Sequence, residues 1–364
     1  MKIGLLGFGS MGKTHAYCCD NLKYFFSDDL DAKIVSVCTR HEQTAKNAST
    51  RYGIPKYTTS EDDIIYDSEI DAVDISTPNV YHYETAKKAI MAGKHVYCEK
   101  PLAVTYNEAR ELAALAKQYN VKAMMVFNNR FLSSVIKAKE IVSSGKLGRI
   151  ISFNARYLHS SALDASKTGW KQDKDICGGG VLFDLGSHVI DLIYYLLGEF
   201  DTVIGKSQIA FPSRIGVSGN EWKTNADEAF YMIAKLKNGA HGTLEMSKIA
   251  LGSNDDLSFE IRGESGAIKF DLMDLNYLYY YSKENSGFTK IECVNRYDAP
   301  GGVFPGIKAP IGWLRGHIGS FHAFCDSVVN DKDTIPSFDD GAYVQLVMEC
   351  AYRSDKEDKE IIVG

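Results

Sequence analysis

The first twelve residues constrain the fold of this chain more than any other segment. The apolar run 2–7 (KIGLLG) predicts a short buried strand, and the stretch from Met11 to about Leu22 predicts a helix. Between them, three glycines give the pattern Gly-x-Gly-x-x-Gly at Gly7, Gly9 and Gly12. Such glycines let the backbone turn tightly and approach a pyrophosphate, which the helix N-terminus then binds through free N–H groups. This order of strand, turn and helix predicts a dinucleotide site, and a tight turn without a ligand is the alternative.

Strand-like and helical segments continue to alternate as far as residue 127. Strands are predicted at 33–38, 72–76, 95–98 and 122–127, and helices at 81–92 and about 106–119. Asn107 is expected to cap the last of these helices. Alternation of this kind implies right-handed crossovers and a parallel sheet, whose ligands bind beyond the carboxyl ends of the strands. The loops at these ends are therefore expected to border one crevice, namely those at Gly7, Thr39, Ser76, Cys98 and Phe127.

The end of the second strand bears on the choice of nucleotide. An NAD-specific site normally has an acidic residue there, which binds the ribose hydroxyls. This chain instead has Thr39 and Arg40. The planar guanidinium of Arg40 suits a 2′-phosphate, and the Thr39 hydroxyl could assist. We therefore expect NADP(H) to be favoured over NAD(H), while the nearby Glu42 leaves an NAD ribose contact open.

The strand at 95–98 runs directly into the tripeptide Glu99-Lys100-Pro101. Proline fixes its own φ and pushes Lys100 towards an extended conformation. A lysine held in this way at the end of a strand is well placed to point into the crevice. A lone lysine before a proline usually indicates only a turn, so this hypothesis depends on the glycine pattern and on a downstream pair.

That pair is Asp184 and His188, in the segment GGGVLFDLGSHVIDLIYYLLG. Four residues apart on a predicted helix, they should share one face. A carboxylate beside an imidazole suits general acid–base catalysis, because it orients the ring and tunes its pKa. An ion pair between packed helices is the alternative. Asp184, His188 and Asp191 together offer two carboxylates and one imidazole. Such a set does not specify an ion, so we expect no metal site.

The second half of the chain is rich in predicted strands. They lie at 150–157, 202–210, 228–236, 240–247, 257–263 and 266–271. Turn signals at 237–240 and 263–266 indicate hairpins and a mostly antiparallel sheet, one face of which could meet a partner subunit. A length of 364 residues suits two domains, and we place them at 1–127 and 128–364. The tract 299–313, rich in proline and glycine, is expected to be a long loop.

Taken in order, GFGSMG, the Glu-Lys-Pro tripeptide and the Asp-x-x-x-His pair resemble the Gfo/Idh/MocA oxidoreductases, named after glucose–fructose oxidoreductase, inositol dehydrogenase and a rhizopine catabolism protein. The resemblance is strong over residues 1–200 and looser beyond. It implies an α/β Rossmann domain, a doubly wound parallel sheet, followed by an α+β domain with a large, mostly antiparallel open sheet. It also implies that the C-terminal helices pack back onto the first domain, and that the protein is a homodimer or homotetramer. The implied reaction is reversible hydride transfer between a nicotinamide and a carbinol carbon of a sugar, polyol or related compound.

The same resemblance assigns residues to the site. Lys100 would bind the reacting oxygen, His188 would move the hydroxyl proton, and Asp184 would orient the imidazole and a neighbouring hydroxyl. The expected cofactor contacts are Gly7, Phe8, Gly9, Ser10, Met11, Gly12, Thr39, Arg40, Ser76, Thr77, Pro78, Asn79, His82, Glu99, Lys100 and Asn128. An aromatic ring beside a cation suits sugar faces and hydroxyls, and the expected substrate contacts are Arg156, Tyr157, Trp170 and Lys171.

Composition argues against several other classes of protein. A net charge of −6 is unlike that of most nucleic-acid binders. The chain has no run of 18 consecutive apolar residues, so we expect no membrane span. The eight cysteines are scattered without a Cys-x-x-Cys pair, and the strand-like start leaves no room for a signal peptide, so we expect a cytoplasmic protein with reduced thiols.

Two other functions stay open at this stage. Some relatives hold the nicotinamide tightly and recycle it while hydrolysing or epimerising a glycoside. A non-catalytic dinucleotide sensor is the second, although Lys100, Asp184 and His188 argue against it because a sensor needs no proton relay.

Overall fold

The computed structural model describes residues 1–26, 30–164, 169–216, 219–294 and 312–364. The chain forms two compact units, one of Met1–Phe131 with Arg296–Ala342 and the other of Leu132–Asn295 with Tyr343–Gly364. The first unit thus extends slightly beyond the boundary predicted at residue 127, and it includes a segment from near the C-terminus. Most of the loop predicted at 299–313 lies outside the described residues.

A six-stranded parallel sheet lies at the centre of the first unit. Its strands are β1 (Lys2–Leu6), β2 (Lys33–Cys38), β3 (Lys56–Thr58), β4 (Ala72–Ile75), β5 (His95–Cys98) and β6 (Ala123–Met125). The spatial order is β3-β2-β1-β4-β5-β6, and every pairing is parallel. The predicted Rossmann-type sheet is confirmed. Its strand order reverses between β1 and β4, which is where open α/β sheets bind ligands.

The helices alternate with these strands and continue into the second unit. They are α1 (Ser10–Phe25), α2 (Glu42–Tyr52), α3 (Asp62–Ile65), α4 (His82–Met91), α5 (Tyr106–Gln118), α6 (Ser133–Ser143), α7 (Lys174–Cys177), α8 (Ser187–Leu197), α9 (Leu314–Val329) and α10 (Phe338–Glu357). The cap predicted at Asn107 is wrong. The hydroxyl of Thr105 accepts the N–H of Glu108, and the Glu108 carboxylate accepts the N–H of Thr105. This reciprocal capping box places the cap at Thr105, two residues before Asn107, and the helix starts at Tyr106 as predicted.

Helix α9 packs within the first unit. Its buried residues Ile318, Phe321 and Phe324 recur at a helical spacing and join the core that α1 forms over the sheet. Phe321 and Phe324 both contact the Tyr97 ring of β5, with centroids 5.4 and 5.1 Å away. Burial of this apolar face fixes α9 beside α1.

A nine-stranded sheet dominates the second unit. Its strands are β7 (Ile150–Leu158), β8 (Phe200–Gln208), β11 (Ala229–Leu236), β12 (His241–Ser247), β13 (Asp256–Gly263), β14 (Gly266–Asp271), β15 (Tyr277–Ser282), β16 (Thr289–Glu292) and β17 (Ile361–Ile362), while β9 (Ser213–Ile215) and β10 (Glu221–Lys223) form a separate hairpin. The order is β16-β15-β14-β13-β7-β12-β11-β8-β17. Within this nine-stranded sheet, as far as the chain is described, only β7 and β12 pair in parallel, and the other pairs are antiparallel. The predicted mostly antiparallel sheet is confirmed.

The segment that carries Asp184 departs from the predicted continuous α-helix. Residues Leu182–Gly186 form a π-helical turn, and α8 follows directly. The Asp227 carboxylate accepts the N–H groups of Gly180 and Leu182, both at 3.1 Å, and so fixes the start of the turn. A π turn holds more than four residues, so the α-helical spacing assumed for Asp184 and His188 does not apply across it. Turns of this kind are frequent at functional sites.

The stretch Lys174–Leu197, which contains this turn, has the length and composition of a membrane span, and an apolar window of 18 residues within it has a mean hydropathy of 1.4. However, 83% of its apolar window is buried inside the protein. Packing against the protein core accounts for its apolar character.

Candidate active site

The glycine loop forms an open cradle at the N-terminus of α1. A Cβ at Gly7, where φ is +93°, would lie 2.6 Å from the Ser76 carbonyl oxygen, and a Cβ at Gly12 would lie 2.4 Å from the Gly7 carbonyl oxygen. The fold therefore requires these two glycines. At Gly9, by contrast, no described atom would lie within 4 Å of a Cβ, and this residue caps α1 without a side-chain hydrogen bond. Free helix N–H groups beside open space fit the pyrophosphate of a dinucleotide.

Arg40 and Tyr81 lie together at the end of β2. An Arg40 Nη donates to the Tyr81 hydroxyl at 2.7 Å, and both side chains are exposed. The Thr39 hydroxyl instead donates to the His41 carbonyl oxygen at 3.0 Å. Arg40 is thus presented to solvent as expected, whereas the hydroxyl of Thr39 is already bonded within the loop. The sequence analysis missed Tyr81.

His82 is buried, a position at odds with the cofactor contact predicted for it. Its Nδ1 lies 2.8 Å from the Pro101 carbonyl oxygen and its Nε2 lies 2.8 Å from the Thr77 carbonyl oxygen. Burial lowers the pKa of His82, although both carbonyls oppose that effect. The ring therefore joins the Ser-Thr-Pro-Asn segment to the Glu-Lys-Pro loop.

The other predicted cofactor residues differ in their accessibility. Ser10 is exposed. A further group is partly exposed and consists of Met11, Ser76, Thr77, Pro78 and Lys100. Phe8 is buried against Tyr52, with ring centroids 5.0 Å apart. Asn79 and Asn128 are buried as well, and the Asn128 amide lies 3.4 Å from the Asn129 side-chain oxygen. The accessible residues are those of the glycine loop and of the loops after β4 and β5.

Behind Lys100 lies a buried group of ionisable side chains. One oxygen of Glu99 accepts the N–H of Lys100 at 3.1 Å, and the other lies 3.2 Å from Nε2 of His15. Nδ1 of His15 lies 2.8 and 3.0 Å from the two Asp74 oxygens. Glu99 therefore faces the protein interior, at odds with the cofactor contact predicted for it. His15 and Asp74 were not predicted, although a charged residue inside the apolar strand AVDI indicates a buried partner.

In the second unit, Asp184 lies between two lysines. Its carboxylate is 2.9 Å from Nζ of Lys171 and 3.0 Å from Nζ of Lys248. The Lys171 side chain is 49% exposed, whereas that of Lys248 is 10% exposed. Lys171, predicted as a substrate contact, is thus also a partner of Asp184. Lys248 was not predicted, because it follows β12, 64 residues after Asp184 (248 − 184).

His188 belongs to the same unit and lies against Tyr157, with the rings edge to face and centroids 5.9 Å apart. The Tyr157 hydroxyl donates to Asp255 at 2.6 Å, and Nε2 of His159 lies 3.0 Å from the same oxygen. Burial raises the pKa of Asp255, but the hydrogen bonds from His159 and Tyr157 outweigh it and lower the pKa. Protonation of His188 would lower the pKa of Asp255 further. The ring of Tyr157 can therefore position His188.

The remaining predicted substrate contacts do not share one side of the sheet. Successive residues of a strand point to opposite faces, and on β7 Tyr157 is buried while Arg156 is exposed. Arg156 bonds to Ser258 at 3.0 Å and lies 3.6 Å from Asp256. This placement is at odds with a role beside Tyr157. Trp170, 38% exposed, lies beside Lys171 in a short 3₁₀ turn and stays a candidate.

The three predicted catalytic residues are divided between the units. Lys100 belongs to the first unit, and Asp184 and His188 belong to the second. Their joint role stays a prediction.

Comparisons with known proteins agree with this description. A family model described as an oxidoreductase family with an NAD-binding Rossmann fold matches residues 1–127, and a model of the GFO/IDH/MocA C-terminal domain matches residues 135–269. Levoglucosan dehydrogenase of Pseudarthrobacter phenanthrenivorans is 31% identical over 97% of this chain and 96% of its own length. Glucose-6-phosphate 3-dehydrogenase of Bacillus subtilis is 27% identical over 100% and 99%. A solved structure of levoglucosan dehydrogenase with NADH and levoglucosan superposes with a TM-score of 0.94 at 31% identity, over 100% of this chain and 99% of that chain.

Proposed function

This chain belongs to the Gfo/Idh/MocA family of oxidoreductases, and we propose that it oxidises a ring hydroxyl of a pyranose sugar reversibly. It is an NAD(P)-dependent oxidoreductase that acts on a CH–OH group. The observation that carries the proposal is the packing of His188 against the Tyr157 ring, because it places a proton acceptor beside a group that can bind sugar hydroxyls. Burial raises the pKa of Tyr157, and the charge of Asp184 adds to that effect, so Asp184 belongs to the same surroundings. The names of two relatives indicate pyranose substrates, and one of them specifies position 3. We therefore assign the reaction to the C3 hydroxyl.

The glycine loop would hold the dinucleotide. Gly9 leaves room for the pyrophosphate, and the N–H groups at the start of α1 would bind it. Once bound, the nicotinamide would accept the hydride from the sugar. All other roles fall to side chains of this chain.

We assign one role to each of the three catalytic residues. During oxidation His188 takes the proton of the sugar hydroxyl, and during reduction it returns that proton. Lys100 donates a hydrogen bond to the reacting oxygen and stabilises the negative charge that develops there. Asp184, held by Lys171 and Lys248, accepts a hydrogen bond from a neighbouring hydroxyl.

We also propose that NADP(H) is preferred over NAD(H). Arg40 is exposed at the end of β2, and its bond to Tyr81 leaves further guanidinium N–H groups to bind a 2′-phosphate. Fluorescence titration with NADPH and NADH at one salt concentration tests this preference. Weaker binding of NADPH than of NADH would contradict it.

A second copy of this chain is the partner that we propose. Ile204 of β8 pairs directly with Ile233 of β11, and both are exposed on the open face of the large sheet beside Tyr231. A homodimer or homotetramer would cover this apolar face. Sedimentation of the purified protein would detect it, and a monomer at micromolar concentration would contradict it. All eight cysteines lie in the described residues as buried thiols outside any disulfide, which suits the cytoplasmic location that we propose. Cell fractionation tests it.

A direct test of the function measures nucleotide reduction with three sugars. Levoglucosan, methyl β-D-glucopyranoside and glucose 6-phosphate are each supplied with NAD⁺ and with NADP⁺, and the product is identified by NMR. We expect a 3-keto sugar from at least one of them. If no sugar reduces either nucleotide, or if the ketone forms at another carbon, the assignment fails.

A further inference from the structure

Three ionisable side chains from different elements are buried together behind the Glu-Lys-Pro loop. Asp74 comes from β4, His15 from α1 and Glu99 from the residue after β5, and all three are less than 10% exposed. His15 lies in the middle, with one ring nitrogen towards each carboxylate. Tyr97, Phe321 and His317 surround its ring, at centroid distances of 5.3, 6.3 and 6.5 Å.

The geometry favours an imidazolium at His15. A neutral ring donates through one nitrogen only, whereas both nitrogens of His15 face carboxylate oxygens. Burial lowers the pKa of His15, but Asp74 and Glu99 outweigh it and raise the pKa to about 10. Burial likewise raises the pKa of Glu99, yet the bond to His15 and the nearby Lys100 and His317 lower it to about 2. At neutral pH a cation therefore lies beside the Glu99 carboxylate.

We propose that His15 is a positioning residue for hydride transfer. Its Nε2 lies 3.2 Å from one oxygen of Glu99, an ion-pair distance without hydrogen-bond alignment, and the charge of the ring attracts that oxygen, so that the other oxygen stays bonded to the backbone N–H of Lys100. The backbone from which the catalytic lysine extends is fixed as a result. This inference rests on the role proposed for Lys100.

A purely structural role explains the arrangement less well. Apolar residues of similar volume often stabilise a core as much as a buried ion pair does, or more. The chain instead buries three ionisable groups, and one of them, Glu99, accepts the backbone N–H of Lys100. Displacement of a catalytic group by about 1 Å can reduce the rate ~10²-fold, so a device that holds this backbone affects the rate directly.

The first test is kinetic, and it compares His15→Gln with His322→Gln. His322 is a matched control because it is also a buried histidine of the first unit, stacked on Phe26. With the fastest sugar from the substrate screen, we expect His15→Gln to lower kcat roughly 10- to 100-fold. The KM for the sugar and the Kd for the nucleotide should stay near the wild-type values. Equal losses in the two variants, or a weakened nucleotide affinity, would overturn the proposal.

A double-mutant cycle with Lys100→Met separates positioning from general damage. If His15 acts through Lys100, His15→Gln should not reduce the rate further in the Lys100→Met background. If the rate loss in the double variant equals the product of the two single losses, the positioning role is refuted while the proposed function stays intact. Wild-type turnover in Lys100→Met alone would instead refute the role of Lys100.

A measurement without substrate completes the test. ¹⁵N NMR of the imidazole in the wild-type protein should show both ring nitrogens of His15 protonated between pH 7 and 8. With ¹⁵N-labelled lysine, the backbone amide signal of Lys100 should shift in His15→Gln and stay in place in His322→Gln. A neutral His15 ring, or an unmoved Lys100 signal, would overturn the proposal whether or not a sugar is turned over.

Discussion

The two lysines that bind Asp184 provide a prediction with a matched control inside the chain. Lys171 and Lys248 lie at nearly equal distances from the carboxylate, 2.9 and 3.0 Å, but their side chains are 49% and 10% exposed. We expect Lys248→Met to destabilise the protein clearly more than Lys171→Met. Methionine keeps an unbranched side chain that is one atom shorter, and it removes the ammonium group with its charge and its N–H donors.

The magnitudes follow from the surroundings of each pair. Breaking a buried ion pair costs about 3–5 kcal/mol because the remaining charge is left without a partner. Asp184 is itself 20% exposed and keeps its other lysine, so we expect about 2 kcal/mol for Lys248→Met. The Lys171 pair is half exposed and screened by solvent, so Lys171→Met should cost about 0.5 kcal/mol.

Urea unfolding of the wild type and the two variants would measure this difference. The comparison of variants at one site does not require that both units unfold together, provided that the signal reports the second unit. Intrinsic fluorescence of Trp170, with the other two tryptophans replaced by phenylalanine in all three proteins, supplies such a signal. Equal losses of stability in the two variants would refute the reasoning from burial.

Three further predictions concern single residues. Because the pKa of His15 is raised to about 10, its stabilising effect is complete below about pH 6.5 and is lost as the pH rises towards 10; urea unfolding between pH 6.5 and 9.5 should show a steeper loss in the wild type than in His15→Gln, and parallel curves would contradict this. His188→Ala should lower kcat ~10²–10⁴-fold without changing the nucleotide Kd, and a comparable loss of nucleotide affinity in titrations would argue against a proton-transfer role. Tyr157→Phe removes the hydroxyl bonded to Asp255 but keeps the ring against His188, so kcat should fall less than in Tyr157→Ala; steady-state rates that rank the two variants the other way would exclude positioning by the ring.

Local patterns predicted most of the first unit. The strand at 33–38 and the strand at 95–98 have the predicted bounds, because short apolar runs between helices leave few alternatives in a parallel sheet. The cap of α5 was misplaced by two residues, since Thr105 and Asn107 are both good capping residues and only the reciprocal bond to Glu108 distinguishes them.

Features that depend on distant residues could not be predicted in this way. The π turn at Leu182–Gly186 is fixed by Asp227, which lies 45 residues after Leu182. His15 and Asp74 are 59 residues apart, and no periodicity within either segment relates them. The assignment of Arg156 as a substrate contact beside Tyr157, in contrast, was an avoidable error. Successive residues of β7 point to opposite faces of the sheet, so these two neighbours could not share one face.

The parallel pairing of β7 with β12 has a consequence for how such a chain can vary. These strands are neighbours in the sheet, yet residues 159–240 lie between them in sequence. That intervening segment contains α7, α8 and the strands β8 to β11, and its helical part carries Asp184, His188, Trp170 and Lys171. The entropy lost on closing a loop rises only with the logarithm of its length, so doubling the length costs about 0.6 kcal/mol. Insertions in the connections between the elements of this segment can therefore reshape the surroundings of the proposed sugar site while the sheet retains its register.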